Sequence, residues 1–380
     1  MNKKQIEQRK KVFFTRGRSA IFIASFYVLF FLFLYFSNEK WFPPLMWLDV
    51  RTMMNVQFVL NLCNVLMVIP IIVFVSKEIT NLCFPTHKAV FIYTTIALFV
   101  LTMGMSFFLL GMRYEFFTLN LDNKINNFTL FLIIGLGGII FFTLVSTLVW
   151  VIMSRHIIYV GKKTRFWYPF LIFVLNTFFV GFIYTSIIHS WTTFAFLILI
   201  STGCDVFAYI GGTHFGKHQM APKISPKKTW EGVLFGAGVT LVAMCLIYAL
   251  FYAIPGAEEL DSSLYRFLGC QCCPLLVAGK PINLEPYFWA IYVVATLVIM
   301  FVSVLGDLFF SFIKRRFDIK DFSNLLPGHG GILDRLDALI FTFTFYFFLT
   351  IVIQLVMLLA FNNADGLIYL WGDVPPNFVF

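Results

Sequence analysis

Long apolar stretches separated by short polar segments dominate the chain. Nine of them are long enough to form a helix of about 20 residues, which crosses the hydrocarbon core of a bilayer. Apolar and polar residues do not alternate at a period of two, so a transmembrane β-barrel is disfavoured. The pattern predicts an all-α polytopic membrane protein. The predicted spans are 19–37, 56–76, 89–111, 128–153, 167–188, 191–212, 232–254, 287–308 and 338–361.

The composition agrees with this prediction. Of the 380 residues, 60% are hydrophobic and only 12% are charged. A soluble globular domain carries about 25% charged residues, so this chain has too few polar side chains to cover a water-exposed surface. The same composition excludes an intrinsically disordered protein.

The net charge of +9 follows from the predicted topology. With the N-terminus in the cytoplasm, 22 of the 28 Lys and Arg residues fall on the cytoplasmic side and 6 on the opposite side. Cytoplasmic loops of membrane proteins carry such an excess of bases. The basic balance therefore indicates orientation and not nucleic-acid binding, and an odd number of spans puts the C-terminus on the opposite side.

The chain divides into four predicted parts. The last large part holds two polar cytoplasmic loops, at 213–231 and 309–337. The four parts are a basic cytoplasmic arm (1–18), an N-terminal region of about five transmembrane helices (19–200), a C-terminal catalytic transmembrane region (201–361) and an external tail (362–380).

Four acids lie close to the cytoplasmic ends of predicted spans: Asp205, Asp307, Asp334 and Asp337. Ionisable groups at such a depth are costly and are therefore functional candidates. If the last helix begins near Ile332, Asp334 and Asp337 share one of its faces. Carboxylates in this arrangement suit Mg²⁺. The alternative interpretation is that each acid only pairs with a nearby base or caps a helix.

Two basic pairs accompany the acids, Lys227-Lys228 and Lys314-Arg315. Such pairs neutralise phosphates, with Arg the better bidentate partner. The alternative is that they only set the orientation of the chain or contact anionic headgroups. Glu231 has a similar alternative, since it stands where it would cap the first turn of the seventh span.

A glycine-rich turn precedes the last predicted helix, and His329 lies within it, next to Gly330 and Gly331. Glycines let backbone amides approach an anion, and a helix N-terminus favours negative charge. The turn is therefore predicted to contact phosphate, with His329 as a donor. The alternative is a turn histidine that hydrogen-bonds only to the backbone.

Acids for Mg²⁺, bases for phosphates and a location at the membrane surface indicate phosphoryl or nucleotidyl transfer between a water-soluble and a lipid-borne partner. The second loop reads Ser311-x-x-Lys314-Arg315-x4-Lys320-Asp321-x-Ser323-x2-Leu326-Pro327-x-His329-Gly330-Gly331-x-x-Asp334-Arg335-x-Asp337. This pattern resembles the signature of the phosphatidate cytidylyltransferases (CDP-diacylglycerol synthases). Upstream, Asp205-x-x-Ala208-Tyr209 and the segment from Ser225 to Gly232 are also similar to that family.

The resemblance implies the reaction of CTP with phosphatidic acid to give CDP-diacylglycerol and pyrophosphate. It implies a Mg²⁺ centre held by Asp307, Asp334 and Asp337, with a second cation such as K⁺, and a homodimer. His329 and Lys228 complete the expected catalytic set. The expected substrate-binding residues are Asp205, Ser225, Lys227, Lys228, Lys314, Arg315, Lys320 and Arg335.

Two other functions stay open from the residues alone. One is a CTP-dependent lipid-alcohol kinase, and the other, from a different class, is an ion-coupled transporter that uses intramembrane acids. The expected partners are CTP and phosphatidic acid of the cytoplasmic leaflet, with no nucleic acid. The expected location is a bacterial cell membrane, or alternatively the endoplasmic reticulum, with the active site facing the cytoplasm.

Overall fold

The computed structural model describes residues 24–37, 50–84, 88–113, 124–156, 162–189, 191–253, 275–277, 280–282, 288–325 and 330–361. Over these ranges the chain forms nine helices and two small antiparallel hairpins. The elements are α1 (Ala24–Phe36), α2 (Val50–Cys83), α3 (Lys88–Arg113), α4 (Lys124–His156), α5 (Lys162–Ile188), α6 (Trp191–Phe215), β1 (Gln219–Ala221), β2 (Ser225–Thr229), α7 (Trp230–Ala253), β3 (Leu275–Val277), β4 (Lys280–Ile282), α8 (Phe288–Arg316) and α9 (Leu333–Phe361).

Eight of these helices, α2 to α9, are long and apolar enough to cross a membrane. They coincide with eight of the nine predicted spans. The first predicted span is described over α1, and residues 19–23 lie outside the described ranges, as do the predicted arm and tail. Many large apolar side chains, such as Phe107, Leu144 and Phe301, point outward from the helices, as is expected of surfaces that face lipid. The predicted all-α polytopic membrane fold is confirmed.

Helix α5 is the centre of the bundle. It contacts α3, α4 and α9 extensively, and its side chains from Phe178 to Ile187 are almost all buried. Phe178 and Phe182 pack against Phe343 of α9, and Phe194 of α6 joins the same aromatic group, with ring centroids 4.9–6.3 Å apart. A helix that is apolar all round suits this central position.

Small residues bring α6 and α7 into close contact. A Cβ atom added to Gly232 would lie 2.7 Å from the carbonyl oxygen of Ala208, and one added to Gly236 would lie 2.6 Å from the Ala208 nitrogen. Ala208 and Gly212 form the facing surface of α6. Because lipid tails are as apolar as leucine, helices in a membrane associate through such close packing. This packing fixes β2, which leads into α7, against the C-terminal half of α6, which carries Asp205.

Several helices extend beyond the predicted spans. Helix α8 continues to Arg316 and α9 begins at Leu333, so the predicted loop at 309–337 is helical at both ends. Charged residues count against an apolar span, but they do not prevent a helix from continuing into the interface. Helix α8 then ends where Asp318 adopts a left-handed backbone (φ 57°) and the Ile319 amide donates to the Lys314 carbonyl, a common helix terminus.

The α6–α7 contact gives a direct stability test. We expect Gly236→Ala to lower the free energy of unfolding by roughly 1–3 kcal/mol, as overpacking does, because its Cβ would press on backbone atoms. Gly238→Ala is the matched control, since nothing lies within 4 Å of its added Cβ. Thermal unfolding in detergent measures both, and equal melting temperatures for the two variants would contradict the packing described.

Candidate active site

Lys228 lies among three carboxylates contributed by three different helices. On β2, its ammonium pairs with the Asp307 carboxylate of α8. Asp205 of α6 and Asp337 of α9 also act on it electrostatically. The Lys228 and Asp307 side chains are only 20% and 21% exposed. The structure therefore brings together four of the predicted site residues that are separated by up to 132 positions in the sequence.

This setting keeps Lys228 positively charged. Burial pushes the pKa of Lys228 down, but Asp307, Asp205 and Asp337 push it up by more, so the pKa lies above its ordinary value. The partly buried Lys228 ammonium is stable here because the surrounding acids replace the solvation that water would provide.

A glycine lets the acids of α8 and α9 approach each other. A Cβ atom added to Gly306 would lie 2.8 Å from the Cβ of Phe341 and 3.0 Å from the carbonyl oxygen of Asp337. Asp307 follows Gly306 directly, so it lies beside Asp337 at this crossing. Ser311, one turn further along α8, donates to Asp307 at 3.3 Å.

Asp334 forms a second, more buried ion pair. Lys314 donates to its Oδ1 at 3.0 Å, and the two side chains are 13% and 7% exposed. Its Oδ2 accepts from the backbone amides of Phe322 (2.9 Å) and Gly331 (2.8 Å). Helix α9 begins at Leu333, which meets the condition under which Asp334 and Asp337 were expected to share one of its faces. Asp334 thus links Phe322 and Gly331, in the connection between α8 and α9 (residues 317–332), to Lys314 near the end of α8.

The predicted magnesium ligands are not assembled as one ligand group. Among the residues that the structure describes, no three His, Cys, Asp or Glu side chains are grouped so as to hold a metal ion. Both oxygens of Asp334 are engaged, whereas Asp307 pairs with Lys228 and accepts from Ser311, and Asp337 accepts from the Ala338 amide. Hard carboxylate oxygens of this kind fit Mg²⁺. The assignment of Asp334 to the metal stays a prediction.

The remaining predicted residues that the structure describes lie on the β1–β2 hairpin or close in sequence to Lys314 and Asp334. Arg315 donates from Nε to the Ile224 carbonyl (3.3 Å) and from Nη1 to the Ile319 carbonyl (3.5 Å), so it ties the β1–β2 hairpin to α8. Ser225 pairs with Ala221 at the tip of that hairpin. His329 lies outside the described residues. The exposed bases at the periphery are Lys227, Lys320 and Arg335.

Glu231 does not serve as the main cap of α7. Its carboxylate accepts from the backbone amides of Lys217 (3.1 Å) and His218 (3.1 Å) and contacts the His218 ring. The Thr229 hydroxyl caps the helix instead, accepting from the Gly232 amide at 3.2 Å. Glu231 therefore anchors the segment that joins α6 to the hairpin.

Glu78 is a site residue that the sequence analysis missed. It lies near the end of α2, is 3% exposed and accepts from the amides of Ile332 (2.8 Å) and Leu333 (2.7 Å) and from the Ser323 hydroxyl (2.6 Å). The second predicted span ends at 76, two residues before this acid. An acid directly after an apolar span is the only indication that the sequence offers.

The backbone amides at the end of the glycine-rich turn bind carboxylates of the protein itself. The amides of Gly331, Ile332 and Leu333 were expected to face a phosphate, but they donate to the carboxylates of Asp334 and Glu78. The anion at this helix N-terminus is thus supplied by the protein itself. Gly330 adopts φ +83°, which favours glycine.

The buried Lys314–Asp334 pair leads to a stability prediction. We expect Asp334→Ala to lower the free energy of unfolding by roughly 3–5 kcal/mol, because it leaves a buried ammonium unpaired. Adding Lys314→Met should recover part of this loss, since the unpaired charge is then removed. Thermal unfolding in detergent without substrates is the measurement. Asp321→Ala, at an exposed acid of the same connection, should unfold like the wild type; a similar loss there would contradict a specific role of the pair.

Comparisons with known proteins identify the family of the chain. A family model described as "Cytidylyltransferase family" matches residues 44–353, which extends well beyond the signature and includes Glu78. A protein of Mycoplasma pneumoniae is 38% identical over 187 residues, which are 44% of this chain and 46% of the relative. Two proteins named "Phosphatidate cytidylyltransferase" are also similar. The one from Rickettsia bellii is 33% identical over 44% of this chain and 61% of the relative, and the one from Brucella abortus is 35% identical over 40% and 43%.

The aligned segments span about half the length of these relatives. The family match, by contrast, covers most of this chain and includes every helix from α2 to α8 and every residue of the two ion pairs. The chain therefore belongs to the cytidylyltransferase family.

Proposed function

We propose that this protein is a phosphatidate cytidylyltransferase, which converts CTP and phosphatidic acid into CDP-diacylglycerol and pyrophosphate. The observation that carries the proposal is the convergence of Lys228–Asp307 and Lys314–Asp334, on three elements, in a chain of the cytidylyltransferase family. The names of the relatives from Rickettsia and Brucella support the same reaction.

The chemistry needs little acid–base catalysis. The nucleophile is a phosphate oxygen of phosphatidic acid, which is already an anion at neutral pH. It bonds to the α-phosphorus of CTP, and the bond from that phosphorus to the bridging oxygen breaks, so pyrophosphate leaves with the electron pair. The main obstacle is repulsion between two phosphates, which neighbouring positive charges remove.

Lys228 and Lys314 are suited to this task because an acid holds each of them near the C-terminal end of α8. In the proposed mechanism Lys228 contacts the triphosphate, and the exposed Lys227, Lys320 and Arg335 supply further contacts to the lipid phosphate or to pyrophosphate. His329 is proposed as an additional donor. Asp205 would hold Lys228 in place from α6.

We propose Mg²⁺ as the cofactor, held by Asp307 and Asp337, with Asp334 as the expected third acid. When bound, the ion would neutralise phosphate oxygens. Asp307 and Asp337 fit this role because Gly306 lets their helices approach closely and because neither carboxylate is consumed by a set of backbone amides.

The lipid would reach the site from the bilayer. Trp230 and Leu234, which follow Lys228 closely in the sequence, are 51% and 70% exposed, and Tyr209 of α6 is 70% exposed. Aromatic side chains of this kind are enriched at membrane interfaces. With the base distribution described above, the active site is proposed to face the cytoplasm, with the acyl chains remaining in the membrane.

The reaction is tested by following CTP labelled in the cytosine ring or at the γ-phosphate. With protein purified in detergent and phosphatidic acid in mixed micelles, we expect cytosine label in the lipid product, loss of the activity with EDTA and recovery with Mg²⁺. Transfer of only the γ-phosphate to a lipid alcohol would instead indicate a kinase. No label in lipid would contradict transferase chemistry of either kind.

Lys228 is tested by its effect on CTP use. We expect Lys228→Ala to reduce kcat/KM for CTP by about 100-fold, the size of losing one donor to the transition state, because the variant removes a buried charge near the phosphates. Steady-state rates at varied CTP measure it. Lys223→Ala is the control, since this exposed lysine lies at the tip of the same hairpin. Unchanged CTP dependence in Lys228→Ala would contradict its proposed role.

A further inference from the structure

The Glu78 carboxylate joins the N-terminal helices to the connection between α8 and α9. Its Oε1 accepts from the Ser323 hydroxyl and the Ile332 amide, and its Oε2 accepts from the Leu333 amide. These partners are 245 to 255 residues away in the sequence. Residues 326–329 lie outside the described ranges, and Ser323 precedes them while Leu333 follows them. One side chain therefore binds the chain on both sides of this segment.

The negative charge of Glu78 is compensated by the helix that it contacts. Among the residues that the structure describes, no Lys, Arg or His pairs with this carboxylate, although it is 3% exposed. The first amides of α9 point at its oxygens, and the N-terminus of a helix carries partial positive charge. A buried carboxylate held in this way stays in place only while α9 begins at the same residue, so the contact fixes the register of the helix start.

The glycine at 331 provides the space for this contact. A Cβ atom added to Gly331 would lie 2.6 Å from Oε1 and 2.8 Å from Oε2 of Glu78. The Gly331 amide meanwhile donates to Asp334 at 2.8 Å. The missing side chain thus lets two acids, one from α2 and one from α9, bind to adjacent amides of the same turn.

We propose that Glu78 is a positioning residue for the reaction. By fixing the start of α9, it holds Asp334 against Lys314 and places Asp337 beside Asp307. The N-terminal helices are then part of the catalytic unit and not only a membrane anchor. The catalytic part of this inference rests on the proposed function, whereas the structural part does not.

The test compares Glu78→Gln with the wild type in two measurements. Gln keeps the size of the side chain, but one of the two acceptor oxygens is replaced by an NH2 group, which cannot accept from a backbone N–H. We expect kcat for CDP-diacylglycerol formation to fall by roughly 10–100-fold, as when a residue that orients metal ligands is lost, with a smaller change in KM for CTP. Without substrates, we expect faster trypsin cleavage after the exposed Lys320, followed by mass spectrometry.

Graded variants separate positioning from a general loss of stability. Glu78→Asp keeps the charge and should retain more activity than Glu78→Gln, and Ser323→Ala removes one of the three hydrogen bonds and should have the smallest effect. Lys77→Gln, an exposed neighbour on α2, also changes the charge by one unit and should match the wild type. If Glu78→Gln does not fold, lower kcat and faster cleavage in Ser323→Ala support the proposal, and wild-type values for that variant overturn it.

Two other results would overturn the inference. One is a Glu78→Gln protein with wild-type kcat and wild-type cleavage after Lys320. The other is an equal rise in cleavage after Lys223 of the hairpin, because that pattern means general loosening. If the wild type itself transfers no cytidylyl group, the proposed function fails, while cleavage after Lys320 still decides whether Glu78 holds the connection.

Discussion

The burial of charge at the ends of apolar helices is the constraint on which the rest of this structure depends. An unpaired buried charge costs roughly several kcal/mol, so each must find a partner. Lys228 pairs with Asp307, Lys314 pairs with Asp334, and Glu78 binds the first amides of α9. Because the partners are on different elements, charge compensation also joins β2 to α8, α8 to α9 and α2 to α9.

These pairings require the helix backbones to approach closely, and glycines make that possible. Gly232 and Gly236 place α7 and the preceding strand against α6, and Gly306 places α8 against α9. In a soluble protein, burial of apolar surface would drive such contacts, but in a membrane close packing must supply the attraction. A larger residue at Gly306 would separate Asp307 from Asp337, so the electrostatics of the site depend on the absence of one side chain.

The sequence predicts the helices better than their ends and partners. Apolar length alone locates α2 to α9, because the bilayer sets the length that a spanning helix needs. The ends are less predictable, since Glu78 and Lys314 are on helices that continue past the apolar core. The sequence indicates the acids and bases of the site as candidates, but which lysine pairs with which acid depends on helix crossings. Glu78 was missed for the same reason, because its partners are about 250 residues away.

The filled helix N-terminus changes how phosphate can be recognised. Backbone amides at the start of α9 are an ordinary anion site, but here Glu78 and Asp334 already accept from them. A phosphate near this turn would meet two carboxylates and be repelled, so the positive charge for it must come from side chains. Lys228 and Lys314 are each held by one acid, and a phosphate binds them only by competing with that acid. The acids therefore hold both lysines in place in the free protein, and they also limit binding to ligands with enough negative charge to displace them.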